Sequence, residues 1–143
     1  MNRYLLDTSI LSDATKPMPA KALAAWMEKQ EPEDLFIAAW TIAEIWRGIL
    51  EKPAGAKRRL LEEWFSGPEG PPTLFEGRVL PFDERSAVVW AELMAEGTAR
   101  GKPRSPFDTA IAAVAVANNC VVATANEKDF RGVRTLNPAR TAD

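Results

Sequence analysis

Tyr4-Leu5-Leu6-Asp7-Thr8-Ser9 is a short apolar segment that breaks into a carboxylate and two hydroxyls. Residues 2–6 read as a first strand, and Asp7 then stands at its carboxyl end. In open α/β sheets, ligands bind outside that end of the strands. A carboxylate there is either the cap of the next helix or a ligand for a cation, and position alone leaves both open.

Outward from this segment, strand and helix signals alternate. Leu35-Phe36-Ile37, Arg78-Val79-Leu80, Cys120-Val121-Val122-Ala123 and Val133-Arg134-Thr135-Leu136 are the further strand candidates. Between them, helices are expected from Ser9 to Asp13, from Ala20 to Lys29, and from Thr41 to Leu50 or Glu51. Lys57 to Phe65 is helical, ended by Gly67-Pro68 and Gly70-Pro71-Pro72. A long helix begins at Asp83 or Glu84 and stops near Gly97 or Gly101, and another opens with Ser105-Pro106-Phe107-Asp108. This alternation predicts an α/β sandwich with a mainly parallel sheet. The length of 143 residues suits one domain over residues 1–143.

Composition removes several chemistries. No apolar run is long enough to span a bilayer, and the N-terminus lacks a basic-then-apolar leader, so no membrane is expected. Cys120 is the only cysteine; it excludes an intrachain disulfide and, beside Val121-Val122, reads as a buried thiol in a protein of the reducing cytoplasm. There is no histidine, which excludes imidazole bases and imidazole metal sites. Carboxylates and hydroxyls remain, and these suit hard cations such as Mg²⁺ or Mn²⁺. The net charge is −2, so nucleic acid is not gripped by overall charge. Lys52, Lys57, Arg58 and Arg59, and separately Arg100, Lys102 and Arg104, are local basic stretches that either touch phosphate or are solvated faces.

Three acids stand out. Asp7 is the first. Glu44 lies three residues after Thr41, the spacing of a capping box. It is opposite the apolar arc of Ile42, Ile45, Trp46, Ile49 and Leu50, on a polar face with Arg47, Gly48 and Glu51. A mid-helix glycine costs roughly 1 kcal/mol relative to alanine, so Gly48 suggests that something approaches the helix closely there. Asp108 follows Ser105 as N-cap and Pro106 at the first helical position, an orthodox helix start. The helix behind it, Ile111 to Ala117, is apolar on every side and reads as buried. An ionised carboxylate at its start then needs compensation, from Arg104 or from a metal ion. Thr124 and Asn126, followed by Asp129, reach the same edge of the sheet, although an Asn there also suits a turn. Three acids and an Asn at one edge are unfavourable together without a cation, which favours a metal site over separate caps.

Read in order, Leu5-Leu6-Asp7-Thr8-Ser9, Thr41 to Ile49, Leu80-Pro81-Phe82-Asp83, Phe107 to Ala113, Val122 to Phe130 and Asn137-Pro138 resemble the PIN-domain family, and within it the VapC and FitB type of toxin. The resemblance implies the PIN fold, a three-layer sandwich with a mainly parallel central sheet flanked by helices. It implies a Mg²⁺- or Mn²⁺-dependent endoribonuclease, an RNA substrate, an antitoxin partner, and a homodimer or higher assembly. Asp7, Glu44 and Asp108 match the family's most regular acids. Asp7 and Asp108 would be direct metal ligands, with Glu44 acting through water. The fourth acid falls at Asn126, a departure that puts a second metal in doubt; Asp129 is near enough to replace it. Thr8 and Thr124 match positions where a hydroxyl supports the acids. A non-catalytic module that binds nucleic acid or an antitoxin is the competing reading, supported by Asn126. A phosphoaspartyl enzyme is disfavoured, because Asp7-Thr8-Ser9 lacks a second acid. Most of the five tryptophans read as core; Trp40 and Trp46, with Ile45 and Ile49, are also candidates for a groove that holds a partner helix.

Overall fold

The computed structural model describes residues 2–140. Five parallel strands form one sheet: β1 (Tyr4–Leu6), β2 (Leu35–Ala38), β3 (Val79–Leu80), β4 (Val121–Ala123) and β5 (Thr135–Leu136), in the order β3-β2-β1-β4-β5. Each neighbouring pair is parallel, with Tyr4 opposite both Leu35 and Val121. Every strand therefore ends at the same edge. The chain winds outward from β1 to β2 and β3, then returns to lay β4 on the other side of β1. The reversal leaves a crevice at the end of β1, the position at which such sheets bind ligands.

Side-chain alternation divides the core between the two faces of the sheet. Leu5, Phe36, Ala38 and Val122 pack on one face with Ile111, Ala112, Val114 and Ala115. Leu6, Leu35, Ile37 and Ala123 pack on the other with Ile10, Leu11, Leu23, Trp26 and Phe75. The second face is covered by α1 (Thr8–Ala14), α2 (Lys21–Glu28), α3 (Ala39–Leu50) and α5 (Pro71–Leu74), with α4 (Ala56–Ser66) packed beside α3. The first face is covered by α7 (Pro106–Ala117), backed by α6 (Glu84–Ala99). The result is helices, sheet, helices: the expected three layers. Among the described residues, no helix is long and apolar enough to cross a membrane.

Three local expectations are corrected. Gly67 closes α4 as expected, but Pro71 and Pro72 start α5, where a missing N–H is tolerated at the first helical turn. The helix after β2 begins at Ala39 rather than Thr41. β2 runs into it without a loop, Ala38 is its N-cap, and no side chain caps it. Thr41 and Glu44 thus lie within the helix, and the capping box does not form. Finally, α7 is buried from Thr109 to Ala115 only; Val116 is 46% exposed where the last turn emerges.

That gradient along α7 is measurable. Val114 is fully buried, so Val114→Ala is expected to cost about 2 kcal/mol from lost transfer energy and a residual cavity. Val116→Ala, at the emerging end, is expected to stay within roughly 0.5 kcal/mol of the parent. Urea denaturation of the two variants gives both values.

Candidate active site

Asp7 is where β1 hands over to α1. Its backbone N–H continues the ladder to the Ala123 carbonyl at 3.1 Å. Its side chain caps α1: Oδ1 accepts from the Ile10 N–H at 2.8 Å and from the Ser9 hydroxyl at 3.1 Å. The residue is nonetheless buried, at 5% exposure. Desolvation raises its pKa above the ordinary value, and the hydrogen bonds from Thr124, Ile10 and Ser9 offset this only in part. Asp7 is both a helix cap and a costly buried acid.

Glu44 projects from the second turn of α3 toward α1. Its Oε1 accepts a 2.5 Å hydrogen bond from the Thr8 hydroxyl, and the buried Thr41 hydroxyl lies 3.2 Å from the same Thr8 oxygen. What reads locally as Thr41 and Glu44 closing a helix is instead a contact between two helices, with Thr8 at its centre.

Asp108 sits three residues into α7, behind the Ser105 cap, whose Oγ accepts from the Asp108 N–H at 3.3 Å. Its carboxylate has neither a hydrogen bond nor an ion pair among the described residues. Arg104 does not compensate it. That guanidinium donates to the Leu93 carbonyl at 3.0 Å, the Arg131 carbonyl at 2.7 Å and Glu96 at 3.0 Å. Burial raises the Asp108 pKa first, and the negative charges of Asp129, Glu44 and Asp7 raise it further.

These acids share one cleft of about 280 Å³, lined by Asp7, Thr8, Glu44, Asp108, Asn126 and Asp129 among others. Thr124, fully buried, supports it from below: its hydroxyl donates to Asp7 and its oxygen accepts from the Asn126 N–H at 2.9 Å. All seven residues expected at the site, the acids and their supports, are thus brought together. None of the four acids is paired with a lysine or arginine among the described residues. No three of the described acids converge tightly enough to enclose an ion directly. The donor set is all oxygen and carries excess negative charge, which fits a hard cation that keeps several of its waters, as Mg²⁺ does.

The four apolar residues expected to form one groove are separated. Trp40 stacks on Phe107 at 5.7 Å, on the α7 side. Trp46 stacks on Phe65 of α4 at 4.7 Å. Ile45 and Ile49 line a different groove, of about 510 Å³, with Thr8, Glu44, Gly48 and Trp64. Nothing lies within 4 Å of where a Gly48 Cβ would project, so the chain itself makes no close approach there; the space is open groove. The other tryptophans have local roles: Trp26 is in the core, and Trp90 donates to the Pro106 carbonyl at 3.1 Å. Sequence reasoning missed Lys128 and Arg131, which flank the Asp129-Phe130 pair and line a second recess beside Asp108.

Fold and cleft together define a class: a parallel α/β domain with uncompensated carboxylates at the switch point of its sheet. The PIN domain profile matches residues 4–136, and the chain belongs to the PIN-domain family. It is 38% identical over 136 residues to VapC ribonuclease Y4jK of Sinorhizobium fredii, covering 94% of this chain and 96% of that protein. It is 34% identical over 136 residues to toxin FitB of Neisseria gonorrhoeae, with the same coverage. The crystal structure of FitAcB from Neisseria gonorrhoeae superimposes with a TM-score of 0.87 at 32% identity, covering 96% of this chain and 99% of that chain.

The cleft makes a prediction in the absence of metal. Folding raises the Asp108 pKa above 3.8, so the folded state holds a proton that the unfolded state has already released. Stability is therefore lost as pH rises from the ordinary aspartate value through the raised one. Asp108→Asn is expected to melt higher than the parent in EDTA, and the advantage should vanish in acid, where both states are protonated. Millimolar Mn²⁺ should raise the melting temperature of the parent more than that of the variant. Thermal melts across the carboxylate range, with and without Mn²⁺, test all three points.

Proposed function

We propose that this chain is a Mg²⁺- or Mn²⁺-dependent endoribonuclease, acting in the cytoplasm as the toxin of a toxin–antitoxin pair. The observation that carries the reading is the Asp108 carboxylate, partly buried and without a partner, facing Asp7, Glu44 and Asp129 across one cleft. The relatives named VapC ribonuclease and toxin FitB support the activity and the biological role.

Asp7 and Asp108 would hold the cation, with Asn126 and Asp129 placed to receive its waters. Bound Mg²⁺ or Mn²⁺ would neutralise a non-bridging phosphate oxygen, lower the pKa of a water and stabilise the leaving oxygen. Asp7 is fixed in one orientation by Ile10 and Ser9. Glu44 spends Oε1 on Thr8, and its other oxygen can accept from, and so orient, an attacking water. Thr8 is then a positioning residue, since it acts on the reaction through Glu44.

An antitoxin is the proposed protein partner. Solved structures similar to this chain include FitAcB from Neisseria gonorrhoeae and a toxin–antitoxin complex from Klebsiella pneumoniae. The groove over Gly48 shares Thr8 and Glu44 with the acidic cleft, so a segment lying in it would reach the site and block it. For the homodimer, the proposed contact is the aromatic patch of Trp40, Phe82, Trp90 and Phe107, where Phe82 and Phe107 are 42% and 53% exposed.

The purified chain is expected to cleave RNA in Mg²⁺ or Mn²⁺ and not in EDTA. Asp7→Asn keeps the shape and most of the capping. It should still lower the rate by more than about 100-fold, because loss of even an outer-shell partner costs 10–100-fold. Asn126→Asp should hold or raise the rate, by adding the acid that the family carries there. Single-turnover cleavage assays, with melting curves to show folding, decide this; a folded Asp7→Asn chain that cleaves at the parental rate would leave the non-catalytic reading.

Gly48 gives a separate test of the partner groove. Gly48→Ala has room for its Cβ and should stabilise the free chain by about 0.4–1 kcal/mol. Gly48→Leu should fill the groove and weaken antitoxin binding, measured by calorimetry, while RNA cleavage persists.

A further inference from the structure

Beside the acidic cleft lies a second recess of about 290 Å³ with the opposite charge. Arg100, Lys102, Lys128 and Arg131 line it, and it shares Asp108 and Asp129 with the cleft. The chain as a whole carries −2, so this is a local concentration of positive charge on an acidic protein.

The recess is built, not incidental. Arg104 stands behind it with a side chain only 13% exposed. Its three bonds, to Leu93, Glu96 and the Arg131 carbonyl, tie the end of α6 to the segment after β4. Gly97 lets the loop fold back: an added Cβ would meet the Lys102 carbonyl oxygen at 2.8 Å and Arg104 Cγ at 2.9 Å. The Lys102 N–H donates to the Gly97 carbonyl at 2.8 Å, and Gly101 turns the chain with φ of +71°. Two basic segments, 100–102 and 128–131, are pinned together around a structural arginine. The other four cations have no ion pair and no side-chain hydrogen bond among the described residues. They are exposed and free to meet an anion.

We propose that this recess is the backbone-phosphate track for single-stranded RNA, holding phosphates that flank the one in the acidic cleft. The proposal rests on the nuclease reading. A phosphodiester at the cleft is one unit of a polyanion, and its neighbours must leave past Asp108 and Asp129. Those two acids repel an approaching anion, and the four cations that line the same recess offset them. Contacts of this kind set register and orientation without reading bases. Arg104 is excluded from the RNA contacts, because its guanidinium is largely buried and three of its donors already hold Leu93, Arg131 and Glu96.

Two variants test the track: Arg100→Gln with Lys102→Gln, and Lys128→Gln with Arg131→Gln. Each is made in a chain that also carries Asp7→Asn, so that binding is read without cleavage. Fluorescence anisotropy of a labelled single-stranded RNA is followed in Mn²⁺ over a range of salt concentration. Each pair should weaken binding and reduce the slope of log K against log salt by about 1.4, at roughly 0.7 per lost phosphate contact on a single strand. Lys21→Gln with Lys29→Gln, at the start and the C-cap of α2 across the sheet, removes the same charge and should leave the slope unchanged. Recess variants that melt like the parent and keep the full slope overturn the proposal, as does an equal effect from the control pair. So does competition by polyglutamate as effective as that by unlabelled RNA, which would mark a site for acidic protein. If recess-dependent binding is found but the chain with native Asp7 cleaves no RNA, the nuclease reading fails and the track stands.

Discussion

Negative charge without a counter-charge is the constraint around which the rest of this molecule is arranged. Asp7 is buried, Asp108 is half-buried and partnerless, and both are pushed toward the neutral form. A fold that needed only stability would have paired them, and the chain has the means: Arg104 lies four residues from Asp108 and is ordered. It is used instead to tie α6 to the 128–131 segment. The acids are held apart from the chain's own cations by rigid elements, so their repulsion can be relieved only by something from outside.

Topology makes this possible. Because every strand is parallel, each delivers its carboxyl end to one edge, and the reversal at β1 opens a crevice there. Asp7 ends β1, Thr124 ends β4, and α3 and α7 bring Glu44 and Asp108 over the same point. The two-sided core keeps this edge rigid. Leu5 and Leu6 point into different hydrophobic clusters, so a one-residue slip of β1 would bring Asp7 out of the crevice and bury the wrong faces.

Much of this was legible in the sequence. The strand candidates, the order of helices, the Ser105 cap and the edge shared by the acids all follow from local patterns and one rule about parallel sheets. The failures are of one kind. Thr41 and Glu44 have the spacing of a capping box, but a capping box and a pair of residues facing another helix look alike in one dimension. Only the absence of a loop after β2 separates them. Arg104 sits near Asp108 in sequence, yet its partners are set by where α6 ends. Trp40, Ile45, Trp46 and Ile49 share a helix and a hydrophobic character, but α3 is covered on more than one side. Its apolar residues are therefore divided among neighbours: Phe107, the second core, and Phe65.

Asn126 takes on meaning in this light. The family resemblance reads it as a lost acid. Within the cleft it is an amide whose backbone N–H is tied to Thr124, the residue that also donates to Asp7. A fourth carboxylate there would add like charge to a cluster that already raises the Asp108 pKa, with Asp129 the largest charged contributor. An amide oxygen can still accept from a coordinated water, and it adds nothing to the repulsion. The cleft thus holds four carboxylates, Asp7, Glu44, Asp108 and Asp129, beside the amide of Asn126. Asp129 stands on the segment that carries Lys128 and Arg131, where the acidic cleft meets the basic recess. Placed there, Asp129 sets the negative edge of the site directly against the cations of the recess.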